Sequence, residues 1–255
     1  MNFQFPVSLQ DAFELSKLQN HEYFAGGTYI LTKHNSENNL IDITTLLDFS
    51  IDVSYEKVRI GAGANLQNFI DCSMKVNPNC KLIPSVEFAC PSKNIRNQRT
   101  FGGEIAQNRT NSEILTFLNA VNAKLAIVAE KEFQISIRDW NTNGIITEIS
   151  YSPKNIDTVA VQRFSVIPSA PAIVNIAGVF KNGDLEFAIG GKTNKITNHK
   201  IALNNWNENS EIIIAKEAKT GFYDDDFGSV SYKESLISTA VKRVKDELIW
   251  KSGLL

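Results

Sequence analysis

Apolar residues repeat at helical spacing in some stretches of this chain and form short β-branched blocks in others. The switches between these patterns mark its elements. Leu9, Ala12, Phe13, Leu15 and Leu18 follow Ser8, an N-cap residue, and predict a helix that ends near His21. Tyr23 to Ala25 reads as a short strand running into Gly26-Gly27, with further strands at Leu40–Ile43 and Val58–Gly61. Ala64 to Cys72 places Leu66, Phe69 and Ile70 on one helical face behind Asn65, and Ile83–Ala89 is a further helix stopped by Pro91. Asn97 to Gln107 reads as a loop centred on Gly102-Gly103. A helix over Ser112–Asn119 and strands at Ala123–Val128, Phe133–Ile137 and Ile145–Ile149 follow.

The pattern changes after Tyr151-Ser152-Pro153. Thr158–Val166, Ala172–Phe180 and Leu185–Ile189 are strand-like, and Lys181-Asn182-Gly183-Asp184 is a hairpin turn. Leu236, Ile237, Ala240, Val241, Val244, Leu248 and Ile249 make Tyr232–Lys251 an amphipathic helix. The expected architecture is α+β in two parts. Residues 1–155 form the first domain, with a small lobe to about 52 and a larger lobe from 53. Residues 156–255 form a smaller domain around a three-stranded antiparallel sheet.

Charge and composition narrow the function classes. Lys and Arg number 26 against 28 Asp and Glu, a near balance that argues against a nucleic-acid partner. No run of about 18 apolar residues occurs, so no membrane-spanning helix is expected. The N-terminal residues lack the basic start and apolar run of a signal peptide, and the cysteine count is odd, which together suggest a cytoplasmic protein. Cys72, Cys80 and Cys90 are too few for a four-thiolate cluster, and His21, His34 and His199 stand far apart, so no metal site is expected. No nucleophile elbow, zincin motif or P-loop occurs either; chemistry, if present, falls to an organic cofactor.

Two glycine pairs are the candidate binding elements: Ala25-Gly26-Gly27-Thr28-Tyr29, directly after a strand, and Thr100-Phe101-Gly102-Gly103-Glu104. Adjacent glycines adopt positive φ at little cost and let successive N–H groups converge on an anion, for which a diphosphate is the common case. They also form ordinary tight turns, and neither loop fits the G-x-G-x-x-G pattern. Gly61-Ala62-Gly63 is a third glycine-rich turn at a strand end.

At these loops the chain resembles the FAD-binding subunits and domains of the molybdenum hydroxylases, the xanthine and carbon monoxide dehydrogenase group. Their early A-G-G-T/S-x-L loop is matched by Ala25-Gly26-Gly27-Thr28-Tyr29-Ile30, and their I-R-N-x-x-T-I-G-G-N-L-A stretch by Ile95 to Ala106. Arg59-Ile60-Gly61-Ala62, Ile145-Ile146-Thr147-Glu148-Ile149 and Tyr232-Lys233 match shorter family segments in the same order. The resemblance implies a two-lobed flavin domain of the vanillyl-alcohol-oxidase type followed by a small α+β domain. It also implies an FAD diphosphate held by backbone N–H groups of Ala25–Tyr29 and Thr100–Gly103, with Ile145 and Ile146 bordering the flavin ring or adenine. Arg163 matches a basic position near the flavin, and Glu113 a position usually held by Asp. The run Arg109-Thr110-Asn111-Ser112-Glu113-Ile114 departs from the family's D-P-x-S-D-L. Glu104 replaces the family Asn; because a carboxylate would repel a diphosphate, it is expected to point away or to pair with Arg96 or Arg99.

The resemblance further implies that electrons arrive from an iron–sulfur partner subunit, that a molybdenum-cofactor subunit oxidises the substrate, and that NAD+ or another acceptor receives the electrons. Two other readings stay open at this point: a flavin-free structural or assembly subunit, and an unrelated nucleotide-binding module.

Overall fold

The computed structural model describes residues 2–32, 39–77, 79–154 and 156–253. His34 and the expected boundary residue Asn155 therefore lie outside the described residues. In chain order the elements are β1 (Asn2–Gln4), α1 (Leu9–Ser16), β2 (His21–Phe24), β3 (Asn39–Asp42), β4 (Ile51–Val53), β5 (Val58–Gly61) and α2 (Leu66–Val76). Next come α3 (Ile83–Ala89), α4 (Lys93–Arg96), α5 (Phe101–Ala106), α6 (Glu113–Ala120), β6 (Lys124–Val128), β7 (Glu132–Ser136) and β8 (Ile145–Tyr151). The chain ends with β9 (Thr158–Phe164), β10 (Val174–Lys181), β11 (Asp184–Gly191), β12 (Thr197–Ala202), α7 (Ser210–Ala218) and α8 (Val230–Ser252).

These elements gather into two units. The first holds residues 1–80, 92–108 and 123–151; the second holds 81–91, 109–122 and 152–255. The chain enters the second unit for good at Ser152, but α3 and α6 also belong there.

The first unit contains two sheets. The small one is parallel, in the order β1-β3-β2, and the larger is antiparallel, in the order β4-β5-β8-β6-β7. Ile60, Leu66, Phe69, Phe101, Ile105, Leu125, Ile127 and Ile149 are buried in it, and Phe69 meets Phe101 edge-on with ring centroids 5.1 Å apart. Polar caps set the helix starts: Ser8 accepts from Asp11 N at α1, Asn65 from Asn68 N at α2 and Thr100 from Gly103 N at α5. The Thr100 cap explains why a segment expected to be loop is a helix. It offsets the poor helix propensity of Gly102 and Gly103.

The second unit is built on an antiparallel sheet in the order β12-β11-β10-β9, one strand more than expected. The added strand, Thr197–Ala202, has only Ile201 and Ala202 as apolar residues and gives little period-2 signal. Val174, Ile176, Phe180, Leu185, Phe187 and Ile189 of the central hairpin pack against Ile237, Ala240, Val241, Val244 and Leu248 of α8, within one core cluster. Helix α8 starts at an N-cap, Ser229, and stops at Gly253, which takes the left-handed conformation.

Lys233, wholly buried near the start of α8, is a charged group whose burial must be offset by its partners. Its Nζ donates to the Tyr223 carbonyl at 2.6 Å and to Asp225 Oδ1 at 2.7 Å, and lies over the Tyr223 ring. The ammonium thus clamps the 223–225 turn onto the helix. Replacing Lys233 with Met removes the cation from Asp225, whose Oδ1 keeps the Phe227 N–H, and the donor from the Tyr223 carbonyl, and is expected to cost about 1–3 kcal/mol in urea unfolding; Asp225→Asn, which keeps an acceptor, is expected to cost less. His199 on β12 gives a pH signature. Burial pulls its imidazole below the ordinary 6.5, against the opposing pull of Glu217. The unfolded chain then binds the proton more readily, so this contribution is complete above about pH 6.5 and lost as pH falls through the lowered value. Unfolding midpoints compared between pH 7 and pH 5 should show a smaller acid loss in His199→Asn.

Candidate functional site

The two glycine loops meet within the first unit. Strand β2 ends at Phe24, whose carbonyl accepts from Ile43 N at 3.0 Å, and the chain then turns through Ala25, Gly26, Gly27, Thr28, Tyr29 and Ile30, all half-buried. A Cβ on Gly26 would stand 2.0 Å from the Gln98 carbonyl oxygen and 3.4 Å from Thr100 Cγ2. Only a residue without a side chain lets this loop seat against the 98–100 turn. Gly27 has φ +69°, the left-handed region, where a side chain would also press on the Phe24 ring.

The loop's polar groups are divided by direction. The Gly27 carbonyl accepts from Leu31 N and the Tyr29 carbonyl from Thr32 N, so these acceptors are satisfied by the 3₁₀ turn over Ile30–Thr32. The amides of Gly26, Gly27 and Thr28 and the Thr28 hydroxyl have no hydrogen-bond partner among the described residues. Three successive free donors on a half-buried loop are the chemistry of an anion hollow. A diphosphate therefore fits the residues present at this loop.

The Thr100–Glu104 loop behaves differently. It forms the first turn of α5, and each amide that a helix start leaves open has a protein acceptor. Phe101 N donates to the Ala64 carbonyl at 3.0 Å, Gly102 N to the Ala62 carbonyl at 2.9 Å and Gly103 N to Thr100 Oγ1 at 3.1 Å. Glu104 N reaches the Thr100 carbonyl at 2.9 Å. Of the second set of amide donors expected from Thr100 to Gly103, those of Phe101, Gly102 and Gly103 are used within the protein, while the Thr100 amide has no partner among the described residues. Gly102 lies against Ala62, where a Cβ would approach to 2.7 Å, while a Cβ on Gly103 would meet only Thr100 Oγ1 within 4 Å. The Phe101 ring is buried against Phe69.

Glu104 is fully buried, and its carboxylate pairs with Arg99 Nη1 at 3.3 Å, one of the two arginines expected from the sequence. Nearby, Arg96 Nε donates to Gln67 Oε1 at 2.8 Å. Ile145 and Ile146 open β8 opposite Val128 and Ile127 and are both buried, and the pairing register of β6 with β8 shifts between Ala126 and Ile127. In the Gly61-Ala62-Gly63 turn, Gly61 N donates to the Ser50 carbonyl, Ala62 N to that of Thr147 and Gly63 N to that of Asp48, so it is a closed structural turn. Residues that the sequence reading missed are Gln98, whose carbonyl seats Gly26, and Ala62 and Ala64, whose carbonyls hold the start of α5. The only signal was the run of small residues from 61 to 64.

Glu113 and Arg163 lie in the second unit and engage each other. Arg163 Nε donates to Glu113 Oε1 at 2.8 Å, Nη1 to the Pro168 carbonyl at 2.7 Å and Nη2 to the Ala170 carbonyl at 2.6 Å. All three guanidinium nitrogens thus have protein acceptors, and the Phe88 ring lies alongside the guanidinium. Thr110 and Thr116, from the run that departs from the family pattern and the helix that follows it, bond to the Gly191 and Thr193 carbonyls and to Asn175 Oδ1.

Residues 1–150 match the family model described as the FAD binding domain in molybdopterin dehydrogenase. A relative from Escherichia coli strain K12, the uncharacterised protein YgfM, is 28% identical over 247 residues, 92% of each chain. A chain of carbon monoxide dehydrogenase from Hydrogenophaga pseudoflava, lacking the Mo-pyranopterin moiety, superposes with a TM-score of 0.81 at 17% identity over 98% of both chains. A chain of quinoline 2-oxidoreductase from Pseudomonas putida 86 gives 0.76 at 17% identity over 99% of this chain and 98% of that one. At that identity the two structures establish the shared fold.

Gly26→Ala tests the seating of the first loop. The clash with the Gln98 carbonyl must push the loop outward, with an expected loss of about 10- to 100-fold in FAD affinity by titration. Unchanged affinity with an unchanged circular dichroism spectrum would show that this seating does not shape the site.

Proposed function

The chain belongs to the family of FAD-binding domains of molybdopterin dehydrogenases, and on that premise we propose that this FAD-binding subunit of a molybdenum-hydroxylase-type complex relays electrons from an iron–sulfur partner to NAD+ or another acceptor. The observation that carries the cofactor half is the run of donors at Gly26, Gly27 and Thr28 that have no partner among the described residues, placed by the glycine contact with Gln98. The partner half rests on chemistry the chain lacks. Three cysteines are too few for a four-thiolate cluster, and in this reading an iron–sulfur subunit and a molybdenum-cofactor subunit supply the remaining redox centres.

Bound FAD supplies an isoalloxazine ring able to take up one electron or two and pass them on. The protein's work is to hold and orient it. In this reading the amides of Gly26, Gly27 and Thr28 and the Thr28 hydroxyl hold the diphosphate, while Ala25, Tyr29 and Ile30 shape the loop. Thr100 caps α5, Phe101 and Gly102 anchor it to the core and to Ala62, and Gly103 offers a face without a side chain. Glu104 serves the site from inside: its pairing with Arg99 turns a carboxylate away from the phosphates and fixes the turn that seats Gly26. Ile145 and Ile146 provide apolar backing. Glu113 and Arg163 act as positioning residues of the second unit, because the guanidinium is already engaged by the protein.

Anaerobic spectroscopy on the FAD-loaded protein tests the relay. Addition of a pre-reduced 2Fe–2S protein should bleach the visible absorbance of the oxidised flavin, and NAD+ should then restore it with formation of NADH. Bleaching restored by a quinone or dye but not by NAD+ would replace the acceptor. A flavin that no iron–sulfur donor reduces would contradict the relay.

A further inference from the structure

Two asparagines of this chain stand directly before a glycine: Asn143-Gly144 in the first unit and Asn182-Gly183 in the second. In such a pair the following backbone nitrogen can attack the side-chain carboxamide carbon and close a five-membered imide, because glycine puts no side chain in the way. The sequence does not distinguish the two sites. Exposure does not either, since Asn143 and Asn182 both lie open to solvent. What separates them is how firmly the backbone is held, because closing the ring requires the chain to turn about the Cα–C bond of the asparagine.

Asn182 and Gly183 are the two-residue turn between β10 and β11. Both have positive φ, +52° and +82°, the backbone that matches the twist of a tight hairpin. Lys181 pairs with Asp184 at the base of the turn, and the Gly183 carbonyl accepts from Leu203 N at 2.9 Å. Turning the Asn182 Cα–C bond undoes this closed arrangement. Asn143 sits in the 141–144 segment that leads into β8, and its backbone N donates to Asn141 Oδ1 at 3.2 Å. The Asn143 carboxamide and the Gly144 N–H, the two reacting groups, have no partner among the described residues. The residue before them, Thr142, has φ +70°, a costly conformation for a β-branched side chain, so little is lost when this segment rearranges. Gly144 has φ +105° and lies against β6, where a Cβ would stand 2.6 Å from Ile127 Cγ2 and 2.9 Å from the Val128 carbonyl oxygen. The fold therefore requires the unobstructed residue that the attack uses.

We propose that Asn143 is a site of spontaneous deamidation in the folded protein, and that Asn182, the same dipeptide in sequence, is protected by its hairpin. The Gly144 nitrogen gives up its proton and bonds to Asn143 Cγ, and the carboxamide nitrogen leaves as ammonia. Solvent water then opens the imide at either carbonyl, leaving aspartate or isoaspartate, with no oxidant or reductant involved. Both products place a negative charge two residues before Ile145, and isoaspartate also adds a carbon to the backbone at the entry to β8. This is independent of the flavin reading.

Peptide mapping by mass spectrometry tests it on the full chain, aged in mildly alkaline buffer both folded and in urea. In the folded protein the exchange of NH for O should accumulate at Asn143 at least about tenfold faster than at Asn182, a ratio that asks for only about 1.4 kcal/mol of local hairpin opening. In urea, where neither backbone is held, the two rates should converge. Asn143→Gln, whose longer side chain disfavours the ring, should silence the first signal and leave Asn182 unchanged. Comparable rates at the two sites in the folded chain, faster loss at Asn182, or an Asn143 that converts only in urea would overturn the proposal.

Discussion

The approach of Gly26 to the Gln98 carbonyl is the contact on which the site of the first unit depends. It is possible only because position 26 has no side chain and because the 98–100 turn is itself held still. That second condition leads back into the core. Ala62 and Ala64 give their carbonyls to Gly102 N and Phe101 N, Thr100 caps the same helix start, and Phe101 is locked against Phe69. Rigid backbone in one loop is thereby used to expose free amides in the other. Pre-organising donors this way removes part of the ordering cost a ligand would otherwise meet.

Charge placement follows the same logic. A buried glutamate beside an anion site would be repulsive if its carboxylate faced the ligand, and Glu104 avoids this by pairing with Arg99. In the second unit Glu113 and Arg163 are likewise used on each other, and Arg163 ties down the 168–170 segment through two carbonyls. In both pairs the side chains are engaged within the protein.

Much of the fold was legible because periodicity reports burial. The helix at Ile83–Ala89 and the strand opening at Ile145 lie where the apolar pattern put them. The misses have physical causes. Helix α5 read as a loop because Gly102 and Gly103 are poor helix formers, and nothing in their spacing reveals the carbonyls that satisfy their amides. Strand β12 read as nothing because a polar edge strand is specified by pairing with β11, a tertiary fact. The candidate site was legible as glycine pairs and a family pattern. Its division into a donor loop and a scaffold loop was not, since both read alike as Gly-Gly. Only the direction of each amide separates them.

Backbone amide hydrogen exchange, followed with and without saturating FAD, reaches that division directly. The account predicts that FAD slows exchange at Gly26, Gly27 and Thr28, which are otherwise open, and changes little at Phe101 to Glu104, whose amides are already bonded. Slowing confined to Phe101–Glu104, with Gly26–Thr28 unaffected, would contradict it.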